Sequence, residues 1–280
     1  MKWDSMDDIN SKSDSQNLRS ALESFTFKGY QEALTILKTN GSFQCSNEVS
    51  TSKRKFFLRH DIDYAPNQAA ILGKIEHENG IHAHYYFLTD SIAYNIHESS
   101  FKSIINQLIE QNHCIGLHYE RLLGGISSKE EIRNQARVLS EAFGVEIDEF
   151  SVHNPGNLQS ALQFESFDGF TNVYEFVKSG GYLSDSNCKW KEEYLSEFLE
   201  SQDKDFQILI HPEWWSIDYK LPLEKILAHQ TQKLIQEIDL YQHHLLDELK
   251  YDTKQSDVYI KVSNELKAQI DRVLGQYDQD

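Results

Sequence analysis

Apolar runs and amphipathic stretches alternate through the middle of the chain. Lys55–Arg59 is a short, aromatic-rich apolar run and predicts a strand. Pro66–Asn79 has helical spacing and stops at Gly80, a residue suited to a helix C-cap. Ile81–Leu88 predicts a strand, Glu98–Asn112 an amphipathic helix and Cys114–His118 another strand. Ser127 with Glu130 three positions later makes a capping-box start for a helix ending at Gly144. Glu149–His153 follows as a strand, then weaker strands near Asn172–Phe176 and Tyr182–Ser184, a helix over Lys191–Ser201 and a strongly apolar strand over Phe206–Ile210. Strand and helix in alternation predict an α/β fold, a parallel sheet with crossover helices that is either a barrel or a doubly wound sheet.

The flanks read differently. Residues 1–18 are rich in Ser, Asp and Asn without periodicity and predict a mobile tail. A short helix is expected over Leu18–Lys38, with a turn at Asn40-Gly41. Residues 19–220 form the expected catalytic body. From 221 to 280 the pattern is helical and polar, at 223–250 and 258–275, which predicts helices packed on that body with a possible role in homo-oligomerisation.

Composition narrows the class. The 280 residues are 39% hydrophobic and 25% charged, which suits a soluble globular protein. The net charge of −17 argues against duplex nucleic acid and anionic membranes as partners, since both would be repelled. Cys45, Cys114 and Cys188 are widely spaced and odd in number, so neither a disulfide framework nor a cysteine zinc site is expected. Met1–Ser20 has no apolar core of a signal peptide and no window reaches a membrane-spanning length, so the expected location is the cytoplasm.

The chemistry gathers at the ends of predicted strands. Asp61 and Asp63 follow the first, His118 ends the third, His153 ends the fourth, Asp185 follows a later one and His211 follows the last. In parallel α/β folds the carboxyl ends of strands converge on the active site. Asp61 and Asp63 lie two apart and share a face, so both carboxylates can enter one pocket if a cation or a proton relieves their repulsion. One resolution puts a metal on Asp63 and leaves Asp61 as a base; the plainer reading has these acids capping the helix begun at Pro66. Arg59 shares the parity of Asp61 and can pair with it, whereas His60 faces the other way. Gly116 leaves room beside His118 for a ligand or backbone. One Asp and two His with an open position suit a catalytic zinc site. Trp214 and Trp215, after His211-Pro212-Glu213, are either a sugar-stacking wall or packing residues.

Taken together, Asp61-Ile62-Asp63, Gly116-Leu117-His118, His153-Asn154-Pro155, Asp185-Ser186 and Leu209-Ile210-His211-Pro212 resemble the motif series of the polysaccharide deacetylases, the NodB-like fold of carbohydrate esterase family 4, over roughly residues 55–215. Within that family the series resembles divergent members associated with surface-polysaccharide biosynthesis. The resemblance implies a distorted (β/α) barrel of about seven strands that removes acetyl groups from N-acetylated sugars with a divalent metal, zinc by the donor set. It implies Asp61 as base, Asp63 and His118 as metal ligands, His211 as general acid and Asp185 as the acid that tunes the base. A backbone N–H near Tyr119 would stabilise the oxyanion, and Arg59, Tyr119, Asp185 and Trp214 are the expected substrate-binding or supporting residues. The family's second metal histidine falls at Leu122 here and its third-motif Arg at His153, so His153 is expected to supply the missing ligand. Two other classes stay open: a non-catalytic binding or scaffold protein on a deacetylase fold, and a metal-dependent glycosyltransferase using Asp-x-Asp.

Overall fold

The computed structural model describes residues 6–44, 54–121, 128–217, 222–243, 260–261, 264–265 and 268. Two units are present, Met1–Pro222 and Leu223–Asp280.

The first unit opens with two helices, α1 (Met6–Glu23) and α2 (Phe27–Asn40), in place of the single helix expected over Leu18–Lys38. Phe25, with φ of 49°, breaks them apart, and the Thr26 hydroxyl caps α2 by accepting from Gly29 N–H. Much of the stretch expected to be a tail is therefore helical. Leu18, Ala21 and Leu22 are buried, and the Arg19 guanidinium grips Glu192 through two hydrogen bonds of 2.8 and 2.7 Å.

Eight strands follow. They are β1 (Ser42–Phe43), β2 (Lys55–Ile62), β3 (His84–Phe87), β4 (Cys114–Tyr119), β5 (Glu149–Val152), β6 (Thr171–Asn172), β7 (Gly181–Ser184) and β8 (Phe206–Ile210). The helices between them are α3 (Pro66–Glu78), α4 (Ser99–Glu110), α5 (Ser128–Phe143), α6 (Leu158–Ala161) and α7 (Glu192–Glu200). Ser127, the expected capping residue of α5, lies outside the described residues. The strand expected over Asn172–Phe176 is only β6, because the chain winds into a 3-10 helix from Val173 to Lys178, with the Asn172 side chain accepting from Tyr174 N–H.

All the pairings are parallel, in the order β6-β5-β4-β3-β2-β8-β7, with β1 added beside the start of β2. The sheet curls into a distorted (β/α) barrel. Its two ends, β6 and β7, are not paired, yet Gln207 of β8 reaches across to donate to the Val173 carbonyl just after β6 (2.7 Å). Alternation along the strands sorts the side chains. Phe56, Leu58, Ile62, Phe206 and Ile208 belong to the apolar core, while Arg59, Asp61, His84, His118, Ser151 and Gln207 are buried polar groups. Polar side chains in such a lumen must be satisfied by one another. Accordingly Arg59 contacts Gln207 and Tyr174, and Glu149 accepts from Tyr86 OH (2.8 Å) and lies 2.8 Å from His84 Nδ1. The strand ends that carry the candidate chemistry open at one edge of this barrel.

In the second unit, α8 runs Pro222–His243; most of the stretch expected to be helical at 258–275 lies outside the described residues. No helix among the described residues is long and apolar enough to cross a membrane.

Candidate metal centre and cleft

β2 delivers Arg59 and Asp61 to the same side, and they meet as a two-pronged ion pair. Arg59 Nε donates to Asp61 Oδ1 (2.8 Å) and Nη2 to Oδ2 (2.5 Å). Neither residue is more than 2% exposed, so the pair operates where charge attraction is weakly screened. Burial opposes ionisation of Asp61, but Arg59 first and His118 next hold its carboxyl well below the usual carboxylate range. His60 points the other way, as parity requires. Its ring stacks on Tyr85 and its Nε2 meets Glu76 of α3 (2.7 Å), in a closed network that also takes in the Tyr30 and Tyr85 hydroxyls.

Asp63, just beyond β2, faces two imidazoles. Its Oδ1 lies 3.1 Å from His118 Nε2 and 3.8 Å from His153 Nε2. The three donor atoms lie within 4.8 Å of one another. Each ring is steadied through its other nitrogen: His118 Nδ1 contacts Ser151 Oγ (2.6 Å), and His153 Nδ1 contacts Glu120 Oε1 (3.2 Å). With Nδ1 donating, each Nε2 presents a lone pair, and the His153 one also meets the Asn154 amide at 3.1 Å. Asp63 Oδ1 is itself buried and accepts no hydrogen bond of good geometry. Lone pairs this close repel unless a proton or a cation lies between them. Burial pushes the Asp63 carboxyl up, but contact with His118, backed by His211 and His153, brings it below its ordinary value. One oxygen and two nitrogens with supported rings fit a divalent metal. Leu122 lies outside the described residues.

Across the cleft stands His211, at the end of β8. Asp185, at the end of β7 and fully buried, accepts from the His211 backbone N–H at 3.0 and 3.1 Å and from Trp215 Nε1 at 2.9 Å, and contacts His211 Nδ1 at 2.7 Å. Burial lowers the affinity of His211 for a proton; Asp185 more than reverses this, and the imidazole is pushed up to about 10. Asp185 therefore sits under His211, while the partner on Asp61 is Arg59, supplied two residues upstream on the same strand. Asp185, which the resemblance implies as the acid that tunes a base, contacts His211 and Trp215, and the ion-pair partner of Asp61 is Arg59.

Sequence reasoning missed Glu213. It is 1% exposed and neither carboxyl oxygen has a hydrogen-bond partner among the described residues. Burial, with the Asp63 charge adding and His211 opposing, pushes its carboxyl up to about 8. The signal available was the acid itself in His211-Pro212-Glu213, two residues past the candidate acid.

The cleft between the two ends has a volume of about 280 Å³. Asp61, Asp63, His118, His153 and His211 line it, together with Tyr174, Tyr182 and Tyr194. None of the four residues expected to bind substrate or to support the site lines the cleft, Asp185 lying under His211. Arg59 lies beneath Asp61 and is wholly buried. Tyr119 is buried with its hydroxyl on Glu131 (2.5 Å). Trp214 is buried and absent from the lining, and Trp215 packs on Phe25 and Tyr30, so the exposed tryptophan wall is not formed. The space expected beside Gly116 is taken by the Tyr86 ring, into which an added Cβ would run.

No protein-family model matches the chain, and no curated protein matches it. Among solved structures, a mutant of BA3943, a CE4 family pseudoenzyme with restored enzymatic activity, is 10% identical over 65% of this chain at a TM-score of 0.37; the chain spans 62% of that protein's length. The Xyl-CE4 domain of a multidomain xylanase from the hindgut metagenome of Trinervitermes trinervoides is 16% identical, covering 65% of this chain and 83% of that domain, with a TM-score of 0.38. The chitin deacetylase of the fungal pathogen Colletotrichum lindemuthianum is 15% identical, covering 69% of this chain and 85% of its own, also with a TM-score of 0.38.

Proposed function

We propose that this chain is a metal-dependent carbohydrate deacetylase that hydrolyses the acetamide of an N-acetylated sugar. The observation that carries the reading is the convergence of Asp63 Oδ1, His118 Nε2 and His153 Nε2 at one end of a cleft whose other end holds His211 on Asp185.

A divalent cation at the three donors would polarise the acetyl carbonyl and make water nucleophilic near neutral pH. The chain's own groups supply the rest. Asp61, kept ionised by Arg59, is the acceptor for a water proton at the cleft. The Arg59 clamp makes it a weak base, so its contribution is orientation and charge as much as proton affinity. His211 carries a proton held by Asp185 and is placed to deliver it to the departing amine. Of the three tyrosines in the lining, Tyr174 is buried under the Arg59 guanidinium, and Tyr182 and Tyr194 are the half-buried rings against which a sugar would pack.

The test is acetate release from N-acetylated sugars by protein reconstituted with zinc, with metal content measured in parallel. Asp63→Ala, His118→Ala and His153→Ala should each lose both metal and turnover; His211→Ala should keep metal and lose turnover. Full metal binding in His153→Ala removes that residue from the ligand set. Zinc-loaded protein that binds the sugars without releasing acetate is the result that supports a binding protein instead.

A further inference from the structure

One stretch of the cleft lining comes from the segment from Asp185 to Lys191, between β7 and α7. Both of its ends are pinned. Asp185 is fixed by His211 and Trp215, and Trp190 donates from Nε1 to the Leu22 carbonyl of α1 (3.0 Å) while its ring stacks on Phe25. Between these anchors Asn187 and Cys188 hold φ of 60° and 55°, left-handed backbone that side-chain-bearing residues adopt at a cost. The turn closes where the Asp185 carbonyl accepts from Lys189 N–H (3.3 Å). The chain is thereby turned so that Ser186, Asn187, Lys189 and Lys191 all line the cleft.

Two lysines of this segment line the cleft of a chain that carries 44 acidic residues against 27 basic ones. Lys189 and Lys191 form no ion pair among the described residues, although an acid, Glu192, lies next in the chain; Glu192 is taken by Arg19. Among the described residues lining the cleft the only acids are Asp61 and Asp63, the first neutralised by Arg59 and the second turned toward the two histidines. The cleft wall is thus a local cationic seat on a strongly anionic protein, which would otherwise repel a negatively charged substrate.

Resting on the deacetylase reading of the same cleft, we propose that the substrate is an acetylated sugar bearing an anionic group, carboxylate or phosphate, and that Lys189 and Lys191 bind that group. The neutral donors of Ser186 and Asn187 beside them suit the remaining anion oxygens.

The experiment compares three probes on zinc-loaded protein: N-acetylglucosamine, N-acetylmuramic acid and N-acetylglucosamine 1-phosphate. Acetate release and equilibrium binding, followed by tryptophan fluorescence, are measured for the natural sequence and for Lys189→Gln/Lys191→Gln. The expected result is a preference for an anionic probe that falls about tenfold in the double variant and fades with added salt, as charge-assisted contacts do. The two anionic arms separate a carboxylate from a phosphate. A preference that is absent, or unchanged by the double variant, overturns the anion seat. Turnover without preference sinks the seat and leaves the deacetylase reading standing. Preferential binding without turnover sinks the deacetylase reading and leaves the seat.

Discussion

At the scale of single residues, the centre is a set of charges held in pairs. Removing one partner of a buried pair leaves the other charge uncompensated. Arg59→Met should therefore destabilise the fold by about 3–5 kcal/mol in urea unfolding, and Arg59→Met/Asp61→Leu should recover much of that loss. Equal losses in the single and double variants would show that Arg59 acts through packing alone. Glu213 behaves in the opposite sense, since it is buried and its carboxyl oxygens have no hydrogen-bond partner among the described residues. Its carboxyl rises from an ordinary 4.5 to about 8 in the fold, so the cost of its charge is absent below pH 4.5 and complete above pH 8. In chelator-treated protein, Glu213→Gln should gain stability relative to the natural sequence between pH 5 and pH 9; a gap that stays constant over that range argues against a buried ionising acid. Parity along β2 made the Arg59–Asp61 pair and the outward turn of His60 legible in the sequence. The joining of His153 to Asp63 and His118 was legible twice, from the placement of all three at strand ends and from the ligand that the resemblance left one short. The burial of Trp215 was not legible, because its covering residues, Phe25 and Tyr30, lie far off in the chain.

At the scale of elements, the strong periodic segments were readable and the irregular ones were not. Phe206–Ile210 and Pro66–Glu78 follow from apolar runs and a Pro–Gly frame. The 3-10 helix at Val173–Lys178 follows from a side-chain cap at Asn172, which competes with strand pairing and leaves no periodic trace. Gly116 of β4 is a second such case, for a ring and not a ligand occupies the space it leaves. Gly116→Ala should push the Tyr86 ring aside and cost about 1–3 kcal/mol, the range for overpacking a filled core. Because His118 lies two residues along the same strand, the variant should also weaken zinc binding, measured by competition with a chelating dye. Unchanged zinc affinity would mean that β4 absorbs the added methyl without moving its end.

At the scale of the whole molecule, a ligand that binds only the folded state stabilises it by mass action. Free zinc at a hundredfold excess over its dissociation constant should add about 3 kcal/mol to the natural sequence. Asp63→Ala should show none of this gain in thermal melts, and a gain that survives the substitution would place the metal elsewhere. The strand order has a further consequence, for assembly. Asp63 follows β2, His118 lies near the end of β4 and His153 follows β5, all within the β5-β4-β3-β2 run of the sheet, so local βα units bring them together. The acid end joins distant stretches: β8 returns to lie beside β2, and Arg19 meets Glu192 across 173 positions of sequence. Loop closure of that length slows folding. Trp190, Trp214 and Trp215 are all buried at that slower end. On refolding, capture of zinc should therefore precede the tryptophan signal, and a nascent chain leaving the ribosome would hold its metal before it could finish its acid.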